Sequence, residues 1–325
     1  MEQHIKFHPI LMHFAARYAG YSYGEFASDH RVLVESNLRC QEAFGLDAVG
    51  LISDPYRETA AFGARVTFPG EAVPRCHGAI VETTEDVRAL RNPDVYRAER
   101  TRDRILAAST LRKRADSSVP VIGWIEGPLA ESCNLAGVNE VLLKLYLDPG
   151  FVHLLIEKVM ITAMDFARAQ VEAGCEIIGV GDAICSQISA DDYRAFVRER
   201  HLELFEYIHS LGARVKLHIC GNINHLLEEL PYTRPDIVDL DWMVDMDRAH
   251  ALLGTKILRC GNLDPVGVIQ EKSAEAIALD TKQLCERESG RGFILSGGCE
   301  ITVRTPPEHL KAMRDASLQG LRDIT

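Results

Sequence analysis

The chain has 325 residues, 46% of them hydrophobic and 26% charged, with a formal net charge of −11. That is the make-up of a globular protein with room for one large domain. The acidic balance, without a basic stripe carrying interleaved aromatics, argues against nucleic acid as a partner. Met1-Glu2-Gln3-His4 has no basic segment leading into an apolar one, and no apolar run reaches bilayer length. Nine cysteines, an odd number, do not read as a disulfide framework. The expectation is a cytoplasmic protein with free thiols and no membrane association.

Along the chain, β-rich apolar runs fall at 10–14, 47–52, 119–125, 176–180, 214–219, 236–242, 256–260 and 292–296. The later ones, rich in Val, Ile and Leu, read as parallel strands covered on both faces. The stretch 66–80, with Phe68-Pro69-Gly70 and Pro74, reads as an inserted hairpin. Asp148-Pro149 starts a helix carrying Phe151, Leu154, Leu155 and Val159 and stopping near Gly174. Ser189 reads as the N-cap of another helix, with Asp191 and Asp192 in its first turn, running to Gly212. Pro306-Pro307 opens a last helix with Leu310 and Met313. Eight strands alternating with helices predict an α/β fold, a (β/α)8 barrel forming a single domain over 1–325. The rival, a doubly wound sheet, lacks its glycine fingerprint, since Gly179-Val180-Gly181 matches only the first two glycines.

Barrel active sites form at the C-terminal ends of the strands. His218 and Cys220, two apart at the end of one run, point the same way, and Cys299 ends another run. One imidazole and two thiolates suit Zn²⁺ and leave a fourth position open for substrate. The alternative is that the cysteines are small buried hydrophobes. Other polar residues sit at strand ends: Asp54, Glu126, Asp182, Asp241 inside the sixth run, and Asn262 and Asp264 after the seventh. Asp54 before Pro55 also suits a helix cap, and Asn262 and Asp264 also suit a turn and cap. Asp241, a carboxylate in an apolar run, needs partners or a task. Cys76-His77, being neighbours on a strand, point to opposite faces and chelate poorly. Cys175 and Cys260 read as core, His201 and His209 as surface or rim positions, and the charged run 85–104 as solvated helix faces.

Several segments together resemble the uroporphyrinogen decarboxylase superfamily. They are Ile52-Ser53-Asp54-Pro55 through Ala61-Phe62-Gly63-Ala64, Leu240-Asp241-Trp242, Gly261-Asn262-Leu263-Asp264-Pro265, and the glycine-rich turn ahead of Thr305-Pro306-Pro307-Glu308. The resemblance runs from about residue 8 to the C-terminus and implies the same (β/α)8 barrel. The decarboxylases carry an Arg-Gln-Ala-Gly-Arg-like motif and close with Gly-His-Gly. Here His13-Phe14-Ala15-Ala16-Arg17 keeps only the second arginine, and Gly298-Cys299-Glu300 replaces the closing motif. The other branch, the cobamide-dependent methyltransferases, holds zinc with His-x-Cys and a distant Cys, matched by His218, Cys220 and Cys299.

That branch implies in-line transfer of a methyl group from a methyl-corrinoid, carried by a separate small corrinoid protein, to a zinc-activated thiol such as coenzyme M. Asp54, at the position of the decarboxylases' catalytic aspartate, joins Asp182 and Asp241 as candidate catalytic residues. His13, Arg17 and Asn262 are candidate substrate-binding residues, and Glu300 or Asp182 a candidate fourth zinc ligand. Two other readings stay open: metal-free decarboxylation of a tetrapyrrole, and a non-catalytic barrel that binds zinc or a corrinoid. Homocysteine, another thiol or a pterin remain alternative acceptors, and monomer and homodimer are both open.

Overall fold

The computed structural model describes residues 5–319. Its strands are β1 (Lys6–Phe7), β2 (Val49–Gly50), β3 (Val66–Thr67), β4 (Arg75–Cys76), β5 (Val121–Glu126), β6 (Ile177–Gly181), β7 (Arg214–His218), β8 (Ile237–Asp239), β9 (Leu258–Leu263) and β10 (Phe293–Gly297). All but β3 and β4 form one eight-stranded sheet in the order β1-β10-β9-β8-β7-β6-β5-β2, every pairing parallel. The Asp47 amide donates to the Phe7 carbonyl (3.1 Å), and the Phe7 amide donates to the Asp47 carboxylate (2.8 Å). These bonds tie the two ends of the sheet together, giving the expected (β/α)8 barrel.

The strands are parallel because helices return the chain between them and cover the outer face. Every residue of β5 and β6 is buried, as a sheet packed on both sides requires. The helix Pro149–Glu172 starts with proline in its first turn, and the Asp148 carboxylate accepts from the Phe151 amide. The floor of the barrel is an apolar plug of Ala48, Ile122, Ile177, Ile237, Cys260 and Ile294. Each fully buried isoleucine there contributes about 2 kcal/mol. Above the plug the inward-facing residues become polar.

The hairpin expected within 66–80 is present as the antiparallel pair β3–β4. Seven of the eight expected strands lie where they were read, within a few residues. The exception is 10–14. The strand forms earlier, at β1, and His13–Ala19 is a helix that buries Phe14, Ala15, Ala16 and Ala19 and ends on Gly20 with φ +85°. A five-residue apolar run fits both periods, and burial of a helical face won. The Ser189 helix also differs in detail: a π-helical turn, Tyr193–Val197, precedes Arg198–Ser210. Among the described residues, no helix is long and apolar enough to cross a membrane.

Candidate metal centre

β7 ends at His218, and the chain leaves the sheet through Cys220 and Gly221, whose φ of +93° suits glycine. β10 ends at Gly297 and turns through Gly298 to Cys299. A Cβ at Gly298 would collide with the Trp242 amide, so this turn presses on the loop after β8. The two turns bring His218 Nε2 to 2.7 Å from Cys220 Sγ and 4.0 Å from Cys299 Sγ, with the sulfurs 3.4 Å apart. A tetrahedral zinc site wants about 3.6 Å between nitrogen and sulfur and about 3.8 Å between sulfurs. The nitrogen–sulfur distances bracket that spacing and the sulfurs lie slightly closer than theirs, so small side-chain shifts would let the three share one ion. They belong to two strand ends that meet at the barrel mouth, and Cys220 and Cys299 are both part-exposed.

The three donors strongly perturb one another's protonation. Burial opposes charge on the His218 imidazole, but the facing sulfurs and the Asp239 carboxylate outweigh it and hold its pKa well above the ordinary value. The hydrogen bond from Cys220 and the nearby imidazole pull the Cys299 thiol well below its ordinary value, against burial. Cys220, donating to Cys299 and partly desolvated, goes the other way.

The remaining expected residues are distributed around this centre. Asp241 lies two residues beyond β8 rather than inside a strand. Its carboxylate accepts from the Gly221 amide (3.0 Å), and its backbone packs against Gly298, so it braces both ligand turns. Asn262 lies within β9 rather than after it, and its amide donates to the Asp241 and Val244 carbonyls, each at 3.3 Å. Asp264 caps the turn that follows, accepting from Val266 and Gly267. Glu300 accepts from the His13 amide (2.9 Å); burial, with the Cys299 charge adding to it, pushes its pKa up to about 7. The His13 ring stacks on Tyr23 at 4.7 Å. Arg17 is exposed and turned towards the Val303 carbonyl (3.4 Å).

Asp182 is spoken for by other groups. It accepts from the Leu129 (3.2 Å) and Ala130 (2.7 Å) amides and pairs with His201 (3.0 Å), whose other ring nitrogen meets Tyr193 Oη at 2.9 Å. His201 is fully buried, which corrects its reading as a rim residue. An isolated histidine on a helix looks solvated until the strand-end carboxylate it pairs with is known. Asp182, Cys185 and His201 also bring three donor atoms within 4.8 Å, but in a closed hydrogen-bonded cluster.

Asp54 is buried and gripped by Arg100 through both oxygens (2.8 and 2.7 Å), with Ser53 Oγ at 2.7 Å and Arg57 at 3.6 Å. Burial alone pushes its pKa up, but the two guanidiniums outweigh that and hold it well below the ordinary carboxylate value. Arg100 and the fully buried Arg104 lie in the run 85–104, so that run is not wholly a solvated face. Arg57 continues to Glu126 (3.2 Å), which accepts from Trp124 Nε1 (3.3 Å); the Trp124 ring lies 5.7 Å from that of His218. Burial pushes the carboxyls of Glu58, Glu126 and Glu131 in this network upwards.

Residue-by-residue reading missed Arg57, Arg100, Trp124, Lys216 and Asp239. For the last two a signal was present. Lys216 alternates with Val215 and Leu217 in β7, and Asp239 ends the apolar run Ile237-Val238, so each places a charge in a buried strand.

A sequence model of the family described as "Uroporphyrinogen decarboxylase (URO-D)" matches residues 6–319. A protein named uroporphyrinogen decarboxylase from Chloroflexus aurantiacus is 28% identical over 301 residues, covering 90% of this chain and 83% of its own. One of the same name from Geobacter metallireducens is 27% identical over 294 residues, covering 88% and 84%. Among solved structures, a methyltransferase from Methanosarcina mazei superposes with a TM-score of 0.89 at 21% identity, over 98% of this chain and 94% of that one. A B12-independent methionine synthase from Shewanella sp. W3-18-1 superposes with a TM-score of 0.63 at 15% identity, over 90% and 89%.

Proposed function

The chain belongs to the uroporphyrinogen decarboxylase family, and from that premise we propose that it is a zinc-dependent methyltransferase, moving a methyl group from a corrinoid to a thiol. The observation that carries this reading is the convergence of His218, Cys220 and Cys299 at one barrel mouth. A catalytic zinc has three protein ligands and one free position, and soft thiolates select for it. Zinc held by these residues would lower the pKa of an acceptor thiol and orient the thiolate for attack.

The chain's own residues supply the rest. Asp241 holds the Cys220 turn through the Gly221 amide, and Asn262 holds the Asp241 backbone in turn. Trp124 packs beside the His218 ring. Glu300, tied to the His13 amide, is the carboxylate next to the donor set for a resting fourth position. Beside the ligand turns, Trp242, Met243 and Val266 are large exposed apolar residues, 50%, 40% and 46% accessible. They offer a rim on which a small protein carrying the methyl-corrinoid docks, as exposed apolar surface at a site mouth suggests. A methyl-corrinoid would supply the methyl group as a cation equivalent and retain the bonding electron pair, and the acceptor thiolate would become a thioether. The likeness to the Methanosarcina methyltransferase supports this choice.

The names of the sequence relatives favour a second reading, metal-free decarboxylation of a tetrapyrrole. Against it, both oxygens of Asp54 are already occupied by Arg100 and its neighbours. The deciding experiment combines the metal content of protein purified under reducing conditions with an assay of thiol-dependent demethylation of methylcobalamin. About one zinc per chain together with thioether formation supports the methyltransferase; porphyrinogen conversion by metal-free protein establishes the decarboxylase.

A further inference from the structure

Lys216 places an ammonium on the inner wall of the barrel, beneath the ligand layer, where it is only 2% exposed. Its position follows from strand geometry. Lys216 and His218 are two apart on β7 and face the same way. Across the sheet, His218 is in register with Asp239 on β8, and Asp239 with Cys260 on β9. Lys216, His218 and Asp239 therefore form one polar patch directly above the apolar plug, with Cys260 of the plug against it.

Within the patch the contacts run in a line. Lys216 Nζ lies 2.9 Å from Asp239 Oδ1, and Asp239 Oδ2 lies 3.1 Å from His218 Nδ1. His218 Nε2 then meets Cys220 Sγ at 2.7 Å. Cys260 Sγ lies 3.7 Å from the ammonium and interacts with the Asp239 carboxylate as well. Neither Lys216 nor Asp239 belongs to the donor set itself.

Stability alone does not account for this pair. Replacing a buried ion pair by apolar side chains of similar volume is often neutral or stabilising, and the plug below is already apolar. What the pair does is geometric. With one oxygen of Asp239 fixed by the ammonium, the other is aimed at Nδ1. The imidazole then carries its proton on Nδ1 and turns Nε2 towards the two sulfurs.

We propose that Asp239 is the positioning residue for the ligand His218 and that Lys216 fixes Asp239 in place, so that both govern how tightly the metal is held without touching it. This rests on the zinc reading above. Removing such an outer partner typically weakens metal binding by about 10–100-fold.

The test titrates the full-length chain with Zn²⁺ against a competing chelator and records the absorption spectrum of the Co²⁺-loaded protein. Wild type is compared with Asp239→Asn, Lys216→Met and the double variant. The double variant matters because Lys216→Met alone leaves a buried unpaired carboxylate and is prone to unfold. Asp239→Asn and the double variant should bind Zn²⁺ about 10–100-fold more weakly than wild type. Their cobalt ligand-field bands should shift, while the sulfur-to-cobalt charge-transfer band persists because both thiolates remain. A folded double variant with wild-type affinity and an unchanged cobalt spectrum would overturn the positioning role while leaving the zinc reading intact. Wild-type protein that takes up neither ion would overturn both.

Discussion

Cys220 and Cys299, 79 positions apart in the chain, bring their sulfurs to 3.4 Å. Both lie on turns just past strand ends, so either can lose its thiol without opening the barrel. Cys220→Ser, Cys299→Ser and His218→Ala should each reduce bound zinc from about one per chain towards zero and abolish thiol methylation. Circular dichroism should show the barrel still folded in each variant. Full activity in Cys299→Ser would mean that the ligand set is wrongly assigned.

The turn that carries Cys299 is itself constrained. Gly298 abuts the Trp242 amide and the Asp241 backbone, so a methyl group has nowhere to go. Gly298→Ala should therefore push the turn outwards and separate Cys299 from Cys220. The expected result is a loss of roughly 1–3 kcal/mol in stability from overpacking, together with metal loss out of proportion to it. Urea unfolding and zinc analysis on the same sample measure the two effects; retention of full zinc would show that the turn absorbs the methyl group.

Asp54 gives a different signature. Its carboxylate neutralises the part-buried Arg100 and lies against the fully buried Arg57. Asp54→Asn leaves those guanidiniums short of a counter-charge and should cost about 3–5 kcal/mol of stability. Activity per folded molecule should fall less than in any ligand variant if the protein is a methyltransferase. A loss as deep as that of Cys299→Ser, with stability unchanged, would point to Asp54 acting on substrate.

The barrel was legible because its strands are continuous buried runs and its helices carry caps and prolines. The His218, Cys220 and Cys299 set was legible because strand alternation puts the first two on one face. What stayed hidden depends on packing. The run 10–14 is apolar in either period, and only its neighbours decide that it enters a helix. Arg100 and Arg104 look like solvated charges until Asp54 and the Ala27 carbonyl receive them. His201 looks idle until Asp182 meets it. Each of these is a long-range pairing, and sequence periodicity carries no information about which distant partner a buried charge will find.

His8 supplies a test by pH. It is 4% exposed, and neither ring nitrogen has a hydrogen-bond partner. Burial, with the Lys216 and Lys6 charges adding to it and Asp47 and Asp239 opposing, lowers its pKa from 6.5 to about 3. In the folded protein the ring therefore stays neutral, while the unfolded chain takes up a proton below pH 6.5. The unfolded state binds more protons through this window, so stability falls as pH drops from 6.5 towards 3. Between pH 7 and pH 5 this one group should remove about 2 kcal/mol, at about 1.4 kcal/mol per pH unit. His8→Leu has no proton to gain, and the other titrating groups cancel in the comparison. Urea-unfolding free energies at pH 7 and pH 5 should therefore fall by about 2 kcal/mol more in wild type than in the variant. Equal losses in the two proteins would mean that His8 is protonated inside the barrel and that its burial beside Lys216 is misjudged.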